Sequence, residues 1–540
     1  MKRLYIVILV AGIILFAIIL RFWQLGAVPV SPDWDEASLG YNAYSILKTG
    51  RDEYGSFLPL SFRSFDDYKP PLYVYLTVPS VAVFGLSVFA VRFPSAVMGV
   101  LAVLGTYFLV KELFKKSDYL PLLSAAFLAI SPWHIQFSRI AFEANIGLTM
   151  NIWASYFFLR GMYLRRGLFV SSILFALALY AYHSERIFVP SLVIFLCILY
   201  RKQLLEIKKA VAIALIAGMI VLLPLIPVLF NKNALMRLKG TSSFREQTEL
   251  LSVNIKKLEY DTAHNYVIGE LFDNRRIEFA KTIIRGYLIH LSPKWLFVTG
   301  DHERHHAPGM GLLYFWELPF ILIGMYQLLR EKKPSNLFFL GWFALAPIAA
   351  SPTTQLPHAI RTLVFLPSFQ VFSAIGVLSV YEYMKIHKPA VKLPITALLL
   401  ASIAGMFLYY IHMYFVHMNI EYSKYWQYGY KQAVDYAEAH RDEYKKIVVS
   451  TDLEQPYIFF LFYSTYDPKK YLAQGGTISG SFDEKYNHFE TYEFRKIDWP
   501  NEKRDGSVLY IGTPEEIVHG TKANIKYLDG TPAIHITDRE

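Results

Sequence analysis

The chain has 540 residues and a formal net charge of +10, with 54% hydrophobic, 16% aromatic and only 18% charged residues, and its mean hydropathy is +0.30. A water-soluble protein of this length would carry more charge, so the composition indicates a polytopic membrane protein. The Lys and Arg excess sits in short clusters between apolar runs, as the positive-inside rule demands, which excludes nucleic acid as a partner; the single cysteine, Cys197, excludes an intramolecular disulfide and suggests no Cys-based metal site.

Lys2 and Arg3 precede an apolar run that ends at Arg21 without a small-residue cleavage site. This predicts an uncleaved first span over 4–20 that starts in the cytoplasm. The polar stretch that follows lies outside. It opens Ser31-Pro32-Asp33-Trp34-Asp35-Glu36 and closes Asp66-Asp67-Tyr68-Lys69-Pro70-Pro71-Leu72. Apolar positions at helical spacing over 36–49 predict a short helix along the interface. The run 71–86, interrupted by Pro79, reads as an interfacial or re-entrant helix, because a full span there would put Lys111, Lys115 and Lys116 outside. The second span is 88–110. Further spans are expected at about 119–134, 146–164, 168–182, 187–200, 209–230, 311–330, 336–351, 361–382 and 394–415.

The basic clusters Arg165-Arg166, Arg201-Lys202 with Lys208-Lys209, Arg330 with Lys332-Lys333, and Lys385-Lys388-Lys392 all fall on one side of this arrangement. The expected architecture is an all-α membrane domain over 1–416, with about eleven spans and additional interfacial helices. Its first outer loop is 31–86 and a long outer loop covers 231–310. From 417 to 540 the chain is charged and tyrosine-rich, with no spanning run. A helix over 433–443, strands at 446–450 and 508–512, and a buried helix or strand at 457–463 predict a small α/β domain outside the membrane. No internal repeat is visible.

Asp35 and Glu36 stand just beyond the first span. Asp33 or Asp35 suits the N-terminus of the following helix, and a carboxylate at a low-dielectric boundary is equally suited to take a proton as a general base. Lys69 either snorkels at the interface or presents an ammonium to a phosphate. Arg139 and Glu143 are four apart at the outer end of a span: an ion pair, or a second acidic ligand with Arg139 or Arg186 on an anion. His302, Arg304, His305 and His306 favour an anion site, and they lack the paired-His helical spacing of zinc proteases. His358 and Arg361 follow Pro357 at a helix start, where N–H groups attract anions. There is no Walker loop, dinucleotide fingerprint or nucleophile elbow. Cations above a membrane beside paired carboxylates suit an anionic lipid substrate.

Three motifs carry a resemblance: Asp35-Glu36 in the first outer loop, Lys69-Pro70-Pro71-Leu72 before the interfacial helix, and Arg92-Phe93-Pro94-Ser95-Ala96 opening the next span. On these the chain resembles the lipid-carrier-dependent glycosyltransferases of the GT-C fold, nearest to protein O-mannosyltransferases and the bacterial aminoarabinose transferases of lipid A. The likeness covers about residues 1–200. Asp301–Gly309, running into Leu312–Gly324, is similar to bacterial members of uncharacterised specificity.

The resemblance implies a polyprenyl-phosphate-linked sugar as donor, an acceptor outside the membrane, and a prokaryotic plasma membrane as location. It implies that Asp35 is the base, that Glu36 orients acceptor or base, and that Lys69 contacts the lipid phosphate. Arg139, Arg186, Arg304, His358 and Arg361 are then candidates for the same phosphate. Glu143 maps to the second acidic motif, as a lone Glu where the fold has an Asp-containing pair. His302, His305 and His306 are candidate contacts for substrate or metal; members of the fold differ in their need for a divalent cation, so a metal stays open. Protein Ser/Thr, lipid A, another glycolipid and a cell-wall polymer all fit as acceptors. The alternatives are an oligosaccharide or polymer transferase of the same fold, and a lipid or polysaccharide transporter.

Overall fold

The computed structural model describes residues 2–65, 67–229, 248–385, 389–478 and 486–539. Asp66, Lys388 and the 230–247 part of the long outer loop lie outside them. Every predicted span falls on a helix: Lys2–Phe22, Val88–Leu113, Tyr119–Ile130, Ala144–Gly161, Arg166–Ala178, Glu185–Leu199, Lys208–Leu222, Glu317–Arg330, Pro334–Leu345, Ser368–Met384 and Pro389–His412. Among the described residues, five helical stretches are long and apolar enough to cross a bilayer: Arg3–Phe22, Val88–Leu113, Lys208–Val228, Leu363–Met384 and Lys392–Glu421. A sixth is added if the bent pair Tyr119–Ile130 and Pro132–Arg139 counts as one span. The chain is a multi-pass membrane protein. Helices such as Arg166–Ala178 and Pro334–Leu345 are shorter than the ~20 residues of an upright crossing, so the apolar runs fold as helices without each being a full-length span.

Two compact units make up the chain. The first comprises Met1–Ala17, Val100–Ile135 and Ala144–Met406, and the second Ile18–Gly99, Gln136–Glu143 and Phe407–Glu540. In the first, Ala144–Gly161 packs on Arg166–Ala178, and Glu317–Arg330 on Ser368–Met384. The latter pair crosses at two glycines. A Cβ on Gly324 would overlap the Phe372 carbonyl oxygen, and one on Gly376 the Phe320 carbonyl oxygen. Small residues let membrane helices approach backbone to backbone where apolar burial supplies no drive.

In the second unit, the helix Trp34–Thr49 starts at Asp33, whose carboxylate accepts the Glu36 N–H at 2.8 Å. Strands β1 (Phe62–Ser64) and β2 (Asp67–Lys69) form an antiparallel hairpin pairing Phe62 with Lys69. The helix Leu72–Phe84 follows; with Pro456–Tyr463 it packs against Trp34–Thr49. Gly40 permits the close approach of Pro456–Tyr463 and of Val91 in Val88–Leu113, since a Cβ there would lie 2.7 Å from the Phe462 ring and 2.5 Å from Val91 Cγ2.

The C-terminal region has the expected α/β character. Its strands are β3 (Lys446–Val449), β4 (Asn487–Phe489), β5 (Tyr492–Phe494), β6 (Val508–Gly512), β7 (Ala523–Lys526) and β8 (Pro532–Thr537). They form one mixed sheet in the order β4-β5-β3-β6-β8-β7, with β3 parallel to β5 and β6 and the other pairs antiparallel. The centre of the sheet is buried on both faces, as its continuous apolar runs require. The segment expected at 457–463 is the helix Pro456–Tyr463, with proline in its first turn. Direct bonds tie this region to the first outer loop: Trp34 N to Gln427 Oε1 at 2.9 Å, Tyr41 OH to the Tyr466 carbonyl at 3.2 Å, and Thr477 Oγ1 to Glu53 Oε2 at 2.9 Å.

Candidate active site

The adjacent carboxylates Asp35 and Glu36 point to different environments, because successive residues of a helix are ~100° apart. Glu36 is fully buried. Arg92 Nε donates to its Oε1 at 2.9 Å and Arg92 Nη2 to its Oε2 at 2.7 Å. The Ala141 N–H adds a third bond to Oε1 at 2.7 Å. Arg92 also donates to the carbonyls of Leu25 at 3.2 Å, Pro29 at 2.8 Å and Ser31 at 2.8 Å. This bidentate, fully hydrogen-bonded pair is the geometry in which a buried ion pair is tolerated.

Asp35 faces the other way and is 31% exposed. Its Oδ1 accepts from Lys69 Nζ at 2.5 Å. Lys69 ends β2, directly before Pro70 and Pro71, and is itself buried. Burial disfavours its ammonium, but Asp35, Glu143 and Asp33 outweigh that cost and hold the lysine above its ordinary pKa. Glu143 is buried and belongs to the same unit. The result is one cation among three carboxylates, with one carboxylate reachable from solvent.

A second charged cluster forms in the other unit. Asp301 Oδ2 takes the His305 Nδ1–H at 2.7 Å and the Ala359 N–H at 2.7 Å. His358 Nδ1 lies 4.0 Å from the same oxygen. The rings of His302, His305 and His358 lie within 5.2–6.0 Å of one another. Burial alone would raise Asp301, but the His305 hydrogen bond, the neighbouring imidazoles and the Ala359 N–H keep its carboxyl well below the usual range. Burial lowers His305 against the pull of Asp301, and burial with Arg361 lowers His358. Behind them, His290 Nδ1–H donates to the Gly286 carbonyl at 2.6 Å and its Nε2 accepts the His358 N–H at 3.2 Å. Burial pushes that imidazole down to about 4.

Residues 68–230 match the family model described as dolichyl-phosphate-mannose-protein mannosyltransferase. No curated protein matches the sequence. Among solved structures, the chain is similar to ArnT from Cupriavidus metallidurans in the apo state, with 11% identity over 99% of this chain and 98% of that one, at a TM-score of 0.55. The same enzyme bound to undecaprenyl phosphate gives 0.54 at 11% identity, covering 98% of each chain. The archaeal oligosaccharyltransferase AglB from Archaeoglobus fulgidus, in complex with an inhibitory peptide and a dolichol-phosphate, gives 0.50 at 14% identity, over 95% of this chain and 70% of that one. The chain has the GT-C glycosyltransferase fold.

In this GT-C chain the residues expected from sequence separate into three groups. Asp35, Lys69 and Glu143 come together in the second unit, and His302, His305 and His358 in the first. The Glu36 carboxylate, expected to orient acceptor or base, is bonded to Arg92 and to the Ala141 N–H. Arg139 was expected at the donor phosphate. It is fully buried, with its guanidinium on the carbonyls of Leu20, Arg21 and Val28 at 2.8, 3.1 and 3.0 Å and stacked by Tyr414 and Phe415. His306 donates to the Ala307 carbonyl at 2.7 Å. Arg361 braces its own loop through Thr353 Oγ1 at 2.7 Å and the Thr354 carbonyl at 2.6 Å. Arg186 opens the helix Glu185–Leu199 and, like Arg304, is half-buried.

Three residues gained importance that sequence reasoning did not give them. Arg92 opens the Arg92-Phe93-Pro94-Ser95-Ala96 motif, which by itself gives the arginine no role. Asp301 had one available signal, its four-residue spacing from His305. His290 had none.

Proposed function

We propose that this protein transfers a sugar from a polyprenyl-phosphate carrier to a hydroxyl-bearing acceptor outside the membrane, with inversion and with Asp35 as the base. The observation that carries the reading is the asymmetry of the Asp35-Glu36 pair. One carboxylate is locked to Arg92, and the other is presented to solvent at 2.5 Å from a buried lysine. Likeness in fold to an enzyme solved with undecaprenyl phosphate supports the carrier class.

Phosphate is already a good leaving group, so the reaction needs no general acid if a cation neutralises it. Lys69 supplies that cation. A phosphate arriving at Lys69 exchanges one anionic partner of the ammonium for another and frees the Asp35 carboxylate to accept a proton. The acceptor oxygen then bonds the anomeric carbon from the face opposite the carrier. Its proton passes to Asp35, the bond from the anomeric carbon to the phosphate oxygen breaks, and the electron pair stays on that oxygen of the departing carrier phosphate, whose charge the Lys69 ammonium neutralises. The membrane confines the donor, so part of the cost of orientation is met before the chemical step.

The test is sugar transfer in proteoliposomes, with a panel of labelled polyprenyl-phosphate sugars, native membrane extract as acceptor, and Asp35→Asn as comparison. Transfer by the wild type that disappears in the variant supports the assignment, and the labelled product names the acceptor. A variant that consumes donor at the wild-type rate removes Asp35 from the chemistry.

A further inference from the structure

We propose that Asp301, His305 and His358 form a binding site for one divalent transition-metal ion, zinc by donor chemistry, that pins the 301–305 turn to the loop before Leu363. The proposal is independent of the carrier and of Asp35.

The geometry comes first. Each of the three residues offers one ligand atom, and these atoms lie within 4.8 Å of one another. Two imidazole nitrogens and one carboxylate oxygen are the borderline donor set that zinc takes at ~2.0–2.2 Å, usually with a water in a fourth position. Ligand atoms around such an ion stand ~3.3 Å apart by tetrahedral geometry. The Asp301–His305 separation of 2.7 Å and the Asp301–His358 separation of 4.0 Å bracket that spacing. An ion entering here replaces the His305 proton in the hydrogen bond and draws His358 inward.

The second observation is a deficit. His358 is only 8% exposed, yet its Nδ1 has no hydrogen-bond partner among the described residues. Leaving a buried ring nitrogen unsatisfied is destabilising, and here it stands 4.0 Å from a carboxylate oxygen that it does not reach. A cation between the two satisfies both.

The surroundings are built to hold the ligands still. The Ala359 N–H fixes the Asp301 carboxylate, His290 accepts the His358 N–H at 3.2 Å, and Thr362 Oγ1 donates to the His358 carbonyl at 2.8 Å. Outer-shell bonds of this kind orient metal ligands and are part of a site's affinity. The exposed His302 ring, 5.8 Å and 6.0 Å from those of His305 and His358, marks the side on which the fourth position opens. The residues come from segments more than fifty positions apart, so the ion would act as a cross-link that the sequence spacing conceals.

The experiment uses the full-length protein in detergent. It is stripped with chelator, titrated with zinc, and separately loaded with cobalt(II). The expected result is one equivalent of zinc per chain and a visible cobalt ligand-field spectrum of four- or five-coordinate intensity. Zinc affinity should fall at least tenfold in His358→Ala and in the near-isosteric Asp301→Asn, and stay unchanged in His306→Ala, whose ring already serves the Ala307 carbonyl. No zinc uptake by the wild type, or equal affinity in wild type and His358→Ala, overturns the proposal. Should His358→Ala fail to fold, Asp301→Asn and the wild-type cobalt spectrum still decide. A weak six-coordinate cobalt spectrum in the wild type counts against the site.

Discussion

Glu36→Gln and Asp35→Asn change neighbouring residues by the same chemistry, a carboxylate to an amide, and should have opposite consequences. In Glu36→Gln the side chain keeps its shape, but Arg92 loses its counter-charge at a position fully withdrawn from solvent. Breaking one half of a buried ion pair costs ~3–5 kcal/mol. The three backbone carbonyls that Arg92 retains at 2.8–3.2 Å place the expected loss at the lower end, ~3 kcal/mol. In Asp35→Asn the broken pair is 31% exposed on the carboxylate side, so screening by solvent limits the loss to ~1 kcal/mol or less. Activity per folded molecule should run the other way: Asp35→Asn removes the proposed base, worth ~100- to 10,000-fold in rate, whereas folded Glu36→Gln should retain most of its turnover. The assay is denaturant titration in micelles followed by tryptophan fluorescence, paired with sugar transfer normalised to folded protein. If Glu36→Gln unfolds at the wild-type midpoint, or Asp35→Asn proves the less stable of the two, the division of labour argued from burial is wrong.

Lys69→Met should weaken donor use rather than folding alone, with transfer lowered ~100-fold or more by loss of the phosphate partner, and Lys69→Arg should recover part of it; equal transfer by wild type and Lys69→Met would remove the lysine from the site. Arg139→Met leaves three carbonyls without their donor, at ~1–3 kcal/mol for each buried unsatisfied group, so yield and denaturation midpoint should fall while the donor concentration for half-maximal rate in surviving protein stays put. Glu53 gives a pH signature. Burial, opposed by hydrogen bonds from Asn42 and Thr477, raises its carboxyl from 4.5 to about 7, so the folded state holds a proton that the unfolded chain releases. Stability from this group is full below pH 4.5 and lost as pH rises to about 7, a change of ~3 kcal/mol. Glu53→Gln, which can accept from Asn42 as Glu53 does, should flatten that decline; parallel pH–stability curves for the two proteins would contradict it. Gly324→Val should prevent the approach of Glu317–Arg330 to Ser368–Met384, because any Cβ there meets a carbonyl oxygen rather than a movable side chain, and should appear as loss of monodisperse protein on gel filtration.

The helices were legible because apolar runs bounded by basic clusters are a local signal, and each predicted run became one. Their role as full crossings was less legible: runs such as Arg166–Ala178 are apolar but short, and length alone does not tell a crossing from a buried segment. In the C-terminal region the central strands β3 and β6 announce themselves as continuous Val, Ile, Leu and Tyr. The outer strands do not. β4 and β5 are three residues each, and β7 alternates Asn and Lys with apolar residues, so their strand character comes from pairing. The site divides in the same way. Asp35 and Lys69 stood out because they lie in a polar, turn-rich stretch between apolar runs, at the wet edge of a membrane where charge is cheap and chemistry can be placed. The role of Glu36 was hidden because its partners lie 56 and 105 positions away. Arg139 read as the partner of Glu143 at helical spacing, whereas its bonds run more than 110 positions back along the chain. Local pattern shows which residues are unusual; only the fold shows what they face.

The clamp on Glu36 also fixes what can move during turnover. Asp35 sits one residue from a side chain bonded to Arg92 and to the Ala141 amide, so displacing Asp35 means pulling apart the start of its helix. Lys69 is held differently, at the end of a three-residue strand, on a flexible four-carbon stem. In the proposed reaction, opening the resting pair for a donor is then a swing of the lysine past a stationary aspartate. The proposed proton acceptor would therefore keep one position through the cycle, and acceptors of different size would have to adapt to it rather than it to them.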